Sequence, residues 1–129
     1  KARRFAQLIE QHAHFELVTA PTLSLLTYRV KPSFVAECED DTNEILDRLT
    51  VSVQKQQREA GKSFVSRTRL RVERYGQQAI TVFRVVLANP LTTEQDLADI
   101  LNEQLTIAKR LKSWRQLEKA SVAENITVK

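Results

Sequence analysis

The stretch "TVFRVVLANPLTTEQD", residues 81–96, decides how this chain is read, because it sets an arginine inside an apolar run. Val82, Phe83, Val85, Val86 and Leu87 surround Arg84. A run this rich in β-branched and aromatic residues predicts a strand. Asn89-Pro90 ends it, and Thr92 with Gln95 forms a box-like start for a helix. By strand alternation Arg84 shares a face with Ile80, Val82 and Val86, while Ala79, Thr81, Phe83, Val85 and Leu87 share the other. Neither face is polar, so both are expected to be covered. A guanidinium stays charged at physiological pH, and burying it unpaired is costly. Arg84 therefore reaches solvent, pairs with a carboxylate of its own chain (Glu73 or an acid of the last helix), or meets a carboxylate from elsewhere.

Upstream of this run, "SFVSRTRLRV" (63–72) alternates and predicts the hairpin partner. Phe64, Ser66, Thr68, Leu70 and Val72 point one way; Val65, Arg67, Arg69 and Arg71 point the other. "ERYGQQ" is the turn, with Gly76 able to supply a positive φ. Before it, "ECEDDTNEILDRL" offers Asp41 and Glu44 as a helix start, Ile45, Leu46, Leu49 and Val53 as a buried stripe, and Gly61 as the C′ residue. "FELVTAP" (15–21) and "TLSLLTYRVKP" (22–32) predict two strands stopped by Pro21 and Pro32. Phe5, Leu8, Ile9 and His12 recur at helical spacing over residues 2–13. Downstream, Leu97, Ile100, Leu101, Leu105 and Ala108 mark the last helix, and the basic, then polar tail from Lys109 is expected to fray or pack loosely. The order helix, strand, strand, helix, strand, strand, helix predicts an α+β fold: a small, mostly antiparallel sheet of about four strands with helices packed on one face.

Composition narrows the partners. The 129 residues are 42% hydrophobic and 28% charged, which is globular and sufficient for one core. The net charge of +4 permits an anionic partner without demanding nucleic acid. No apolar stretch reaches the roughly 20 residues of a membrane helix. Cys38 is the single cysteine, so no internal disulfide forms, which suits a reducing cytoplasm. The sequence contains no methionine, so the simplest reading is that Lys1 is not a natural start and the chain is a piece of a longer protein.

Few residues carry chemistry. The only glycines are Gly61 and Gly76, so no phosphate-binding glycine loop exists. His12 and His14, two apart on an expected helix, point to different faces and cannot share a metal. Cys38 sits among acids that discourage a thiolate. Arg67, Arg69 and Arg71 form either a solvated sheet face or an anion-docking stripe. An anion- or nucleic-acid-binding module using this stripe and "KRLKSWRQLEK" is one alternative, although Glu73, Glu103 and Glu118 interrupt the charge and stacking aromatics are sparse. A regulatory α+β domain is another.

The segment "FRVVLANPLTTEQDLADILNEQL" resembles the C-terminal signature of the group II pyridoxal-phosphate-dependent amino-acid decarboxylases, in which an arginine-bearing strand runs into Asn-Pro and then a Thr-capped helix. "FELVTAPTLSLLTYRVKP" resembles the family's paired strands. The likeness covers about residues 5–108, and "RVVLANPLTT" is most similar to the bacterial aspartate 1-decarboxylases that make β-alanine.

The resemblance implies that residues 1–108 are the small C-terminal domain of a fold-type-I enzyme and that 109–129 is a basic and polar extension. Pyridoxal phosphate and its Schiff-base lysine would belong to an N-terminal large domain, leaving no catalytic residue here and this chain alone inactive. The same likeness implies a homodimeric cytoplasmic carboxy-lyase with neither a nucleic-acid nor a membrane partner. Its substrate would be an amino acid with a side-chain carboxylate: aspartate, or alternatively glutamate, with 2,4-diaminobutyrate as a further family substrate. Arg84 matches the family arginine that salt-bridges a substrate carboxylate, so the implied substrate-binding residue is Arg84.

Overall fold

The apolar run around Arg84 forms the strand that organises the sheet. In the computed structural model, which describes residues 2–22, 24–35, 38–59, 65–87 and 91–128 with side chains to residue 121, the elements follow the expected order. They are α1 (Ala2–Gln11), β1 (Phe15–Thr22), β2 (Leu25–Val30), α2 (Asp40–Glu59), β3 (Ser66–Val72), a 3-10 turn (Glu73–Tyr75), β4 (Gln78–Val86), α3 (Glu94–Lys109) and α4 (Lys112–Val128). The four strands pair antiparallel in the order β1-β2-β4-β3. The fold is the expected α+β layer.

Alternation splits the sheet into two faces. On one, Leu26, Tyr28, Val30, Phe83 and Val85 meet Phe5 and Ile9 of α1, Leu46, Leu49 and Val53 of α2, and Leu97 and Leu101 of α3, all buried in one core. Tyr28 crosses this core as a polar thread. Its hydroxyl donates to Gln104 Oε1 at 2.7 Å, and Gln104 Nε2 donates to Gln57 Oε1 at 3.1 Å. Burial pushes the Tyr28 phenol far above its ordinary pKa, against the opposing bond to Gln104, so it stays a neutral donor.

The hairpin turn bends over the other face. Gly76 at φ 63 and Gln77 at φ 66 supply the left-handed pair that closes it. Arg74 then donates to the carbonyl oxygens of Leu17 at 2.9 Å and Val18 at 3.3 Å, where the β1–β2 register shifts. Ile80 and Val82 are buried on this face, whereas Arg84 and Val86, further along β4, are exposed.

Several local expectations change. Pro21 lies inside β1 rather than ending it; β1 is an edge strand, where a missing N–H breaks no ladder bond that a neighbour needs. The helix after the apolar run is capped by Thr93 with Asp96, not by Thr92 with Gln95. The Thr93 hydroxyl accepts from Asp96 N at 3.1 Å, and Thr93 N donates to Asp96 Oδ2 at 2.9 Å. An aspartate closes the box as well as a glutamine would, and Thr-Thr offered two registers.

The tail from residue 109 does not fray. It forms α4, and Trp114 and Leu117 enter the same core, 5% and 4% exposed. Their stripe is only two or three residues wide within a charged helix, so its amphipathic signal is faint. Ser121 Oγ also donates to Phe34 O at 3.2 Å. Gly61 and Asn89-Pro90, read as helix and strand terminators, lie outside the described residues.

Candidate substrate-carboxylate site

Two arginines sit in the two central strands, and the tertiary structure treats them oppositely. Arg84 projects from the outer face of β4, opposite Thr27 of β2 and Ser66 of β3. It is exposed, which corrects the expectation that both faces of its strand are covered. Among the described residues no ion pair or hydrogen bond engages the Arg84 guanidinium; its backbone carbonyl accepts from Ser66 Oγ at 3.3 Å. Glu73 and the acids of α3 do not pair with it.

The buried arginine is Arg29, which the pattern reading passed over. It is 0% exposed, its Nε donates to Glu16 Oε1 at 2.7 Å, and its Nη2 donates to Asn43 Oδ1 at 2.9 Å and lies 3.6 Å from Cys38 Sγ. Its Cζ stands 5.0 Å from the centre of the Tyr75 ring. Arg29 Nη1 has no hydrogen-bond partner among the described residues. Glu16 also accepts from the Tyr75 hydroxyl and pairs with Arg74 at 3.5 Å.

Burial alone would raise the Glu16 carboxyl. The Arg29 charge, hydrogen bonds from Tyr75 and Arg29, and the Arg74 charge together hold it below the usual carboxylate range. Burial likewise opposes charge on Arg29, and Glu16 overcomes it. The signal was present in the sequence: "FEL" and "YRV" place an acid and a base in consecutive strands, and the register Phe15↔Val30 sets Glu16 directly opposite Arg29.

The arginine stripe is neither a free docking face nor simply solvated. Arg67, Arg69 and Arg71 lie on the helix side of edge strand β3. Arg67 Nη1 donates to Gln54 Oε1 at 3.0 Å, and Arg69 Nη1 reaches Asp47 Oδ2 at 3.3 Å and Thr81 Oγ1 at 2.9 Å. Arg71 Nη1 donates to Gln77 O at 3.1 Å. Asp47 Oδ1 in turn accepts from the Thr81 backbone N–H at 2.7 Å. The stripe thus ties β3 and β4 to α2.

His12 and His14 follow the end of α1 rather than extending it. Nδ1 of His12 accepts from His14 N at 3.1 Å, and Nδ1 of His14 accepts from Ser33 N at 3.0 Å. Burial, then the Lys109 charge, lowers both imidazole pKa values, and His12 adds to the shift at His14. No cluster of metal-ligating side chains occurs among the described residues.

Every described lysine is exposed or half-buried, and the one described glycine, Gly76, lies in the hairpin turn. Among the described residues no glycine loop is present to cradle a phosphate. A groove of about 640 Å³ lined by Val18, Thr19 and Leu70–Arg74 opens on the outer face, toward the turn end of the hairpin. No described helix is long and apolar enough to cross a membrane.

Comparison with known proteins agrees with the resemblance. No family model matches the chain. Aspartate 1-decarboxylase of Aliivibrio fischeri is 54% identical over 116 residues, which cover 84% of this chain and 21% of that protein. Among solved structures, mouse CSAD superposes with a TM-score of 0.70 at 20% identity, over 85% of this chain and 22% of its own. The glutamate decarboxylase domain of the diaminobutyrate-pyruvate transaminase and L-2,4-diaminobutyrate decarboxylase from Vibrio parahaemolyticus gives 0.66 at 22% identity, over 85% of this chain and 20% of that one. Oryza sativa TDC, solved with PLP, gives 0.61 at 20% identity, over 84% and 21% of the two chains. The chain thus spans about a fifth of the length of the relatives it matches. In sequence and in fold its relatives are the group II pyridoxal-phosphate-dependent amino-acid decarboxylases, the family that its "FRVVLANPLTTEQD" run resembles.

Proposed function

We propose that the full-length protein is a pyridoxal-phosphate-dependent decarboxylase of an acidic amino acid, with aspartate as the substrate and β-alanine as the product. Within it this chain supplies one wall of the active site and a clamp for the substrate's distal carboxylate. The cofactor and its lysine belong to the rest of the protein, and a cytoplasmic homodimer is part of the same reading. The 54% identity to an aspartate 1-decarboxylase supports the choice of substrate.

The observation that carries the clamp is the contrast between the two arginines. Arg29 is buried and paired through Nε with a carboxylate of its own chain, whereas Arg84 stands exposed on a doubly paired strand with no internal partner among the described residues. A guanidinium left unpaired on rigid backbone suits a planar anion from outside, which it can take bidentately. A strand fixes the fork's position more tightly than a loop does. Holding the distal carboxylate there fixes how the α-carbon is presented to the remainder of the site.

The test is kinetic. In the full-length enzyme Arg84→Met should lower kcat/KM for the acidic substrate by at least tens-fold, in line with the about 2–5 kcal/mol lost when one partner of a desolvated ion pair is truncated. Arg84→Lys, which keeps the charge and loses the fork, should fall between. A value within about threefold of wild type for Arg84→Met, under 1 kcal/mol, would remove the clamp.

A further inference from the structure

Arg84 lies in a row of polar side chains that crosses the whole sheet. The register pairs Thr19 with Thr27, Thr27 with Arg84, and Arg84 with Ser66, so one residue from each strand falls in line on the outer face. Along the strands Val82 and Val86 flank Arg84, Leu25 and Arg29 flank Thr27, and Thr68 follows Ser66. Four strands at about 4.8 Å spacing place Thr19 about 10 Å from the Arg84 backbone, within reach of an arginine side chain that leans across Thr27. On this face Glu16 is committed to Arg29, Arg74 and Tyr75, and Glu73 lies at the turn end of the hairpin. The row therefore carries positive charge and hydroxyls without a carboxylate of its own.

The hydroxyls have protons to spare. Thr19 Oγ1 and Thr27 Oγ1 bond to each other, and such a pair has two protons but shares only one. Whichever oxygen donates, the other keeps an O–H with no acceptor among the described residues. Thr27 is 6% exposed, so its hydroxyl is mostly withdrawn from bulk water. Ser66 Oγ makes only a long 3.3 Å bond to the Arg84 carbonyl and can turn to a stronger, charged acceptor.

We infer that the Thr19–Thr27 hydroxyl pair and Ser66 complete the anion cradle around Arg84, supplying neutral donors that recognise the same distal carboxylate from either side of the guanidinium. The inference rests on the clamp reading of Arg84 and adds the residues that give it selectivity. Thr27 and Ser66 are binding residues here, and Thr19 positions the Thr27 hydroxyl.

The experiment compares Thr27→Val, Ser66→Ala and Arg84→Met in the full-length enzyme. kcat/KM is measured for aspartate, and the inhibition constant for 2-aminobutanoate, which lacks the distal carboxylate. Thr27→Val keeps the shape and removes only the hydroxyl. Each hydroxyl variant should lower kcat/KM for aspartate about tenfold, mainly through KM, and leave 2-aminobutanoate inhibition unchanged. If Arg84→Met abolishes discrimination while both hydroxyl variants stay within about twofold of wild type, a difference smaller than a net hydrogen bond is worth, the cradle is wrong and the clamp stands. If Arg84→Met leaves discrimination intact, the clamp fails and the cradle with it. Equal losses toward both compounds in a hydroxyl variant would indicate general damage to the site and also overturn the cradle. Ser66 is exposed, so Ser66→Ala gives a result even if Thr27→Val folds poorly.

Discussion

Replacing Arg29 by methionine tests whether the two arginines divide their roles as the geometry indicates. The substitution keeps most of the side-chain volume and removes the charge and all its donors. Glu16, with its side chain 12% exposed, would lose its 2.7 Å partner, and Asn43 its 2.9 Å donor. Breaking a buried pair by deleting one member costs about 3–5 kcal/mol. Glu16 retains Tyr75 and the longer contact with Arg74, so the lower end, about 3 kcal/mol, is expected. For a domain of this size each kcal/mol moves Tm by about 3–4 °C, giving a drop of about 10 °C.

The assay is thermal unfolding of this chain at neutral pH, with Arg84→Met as the control. That exposed and unpartnered site should change stability by less than about 0.5 kcal/mol. A pH series adds a second signature. The Glu16 carboxyl is held below its unfolded value, so its contribution is present above about pH 4.3 and is lost as pH falls through the lower folded value. Arg29→Met should flatten that acid limb. If Arg29→Met melted within about 2 °C of wild type, or Arg84→Met fell as far as Arg29→Met, the assignment of structural and functional arginines would be reversed or void.

Three further outcomes are expected. Thr93→Ala should destabilise the fold by about 1 kcal/mol, since its hydroxyl caps α3, whereas Thr92→Ala should be nearly neutral; urea midpoints with unchanged slopes would show it, and the opposite order would refute the observed cap. Trp114→Ala should cost about 3–5 kcal/mol, because α4 is part of the core; a loss below about 1 kcal/mol would mean that the helix only rests on the surface. His12 and His14 accept backbone N–H bonds through Nδ1 and have lowered pKa values, so their contribution is complete above about pH 6.5 and is lost as pH falls through the folded values. His14→Gln should therefore reduce the stability difference between neutral and mildly acidic pH, measured by chemical unfolding; an unaltered difference would exclude His14 as its source.

Local rules reached far into this protein because most of its elements obey period and punctuation. The alternation of "SRTRLRV" and of the run around Arg84, the turn at Gly76, and the stripes of Leu46, Leu49 and Val53 and of Leu97, Ile100 and Leu101 specified strands and helices in the right order. The same run, with its arginine and Asn-Pro, carried the family likeness that the comparisons bear out. Alternation also assigned Arg84 to one face, but it is silent on what covers a face.

Which arginine is buried depended on where the turn Glu73–Tyr75 folds. Its Tyr75 ring lies against the Arg29 guanidinium, a contact between residues more than 40 positions apart, whereas Arg84 is exposed. The docking of α4 through Trp114 and Leu117 and the clasp of Arg67 and Arg69 on α2 likewise follow from long-range packing. So does the transverse row Thr19, Thr27, Arg84 and Ser66, which exists only once four strands are in register. Sequence period determines how a side chain points from its own strand, and only the assembled sheet determines what it meets there.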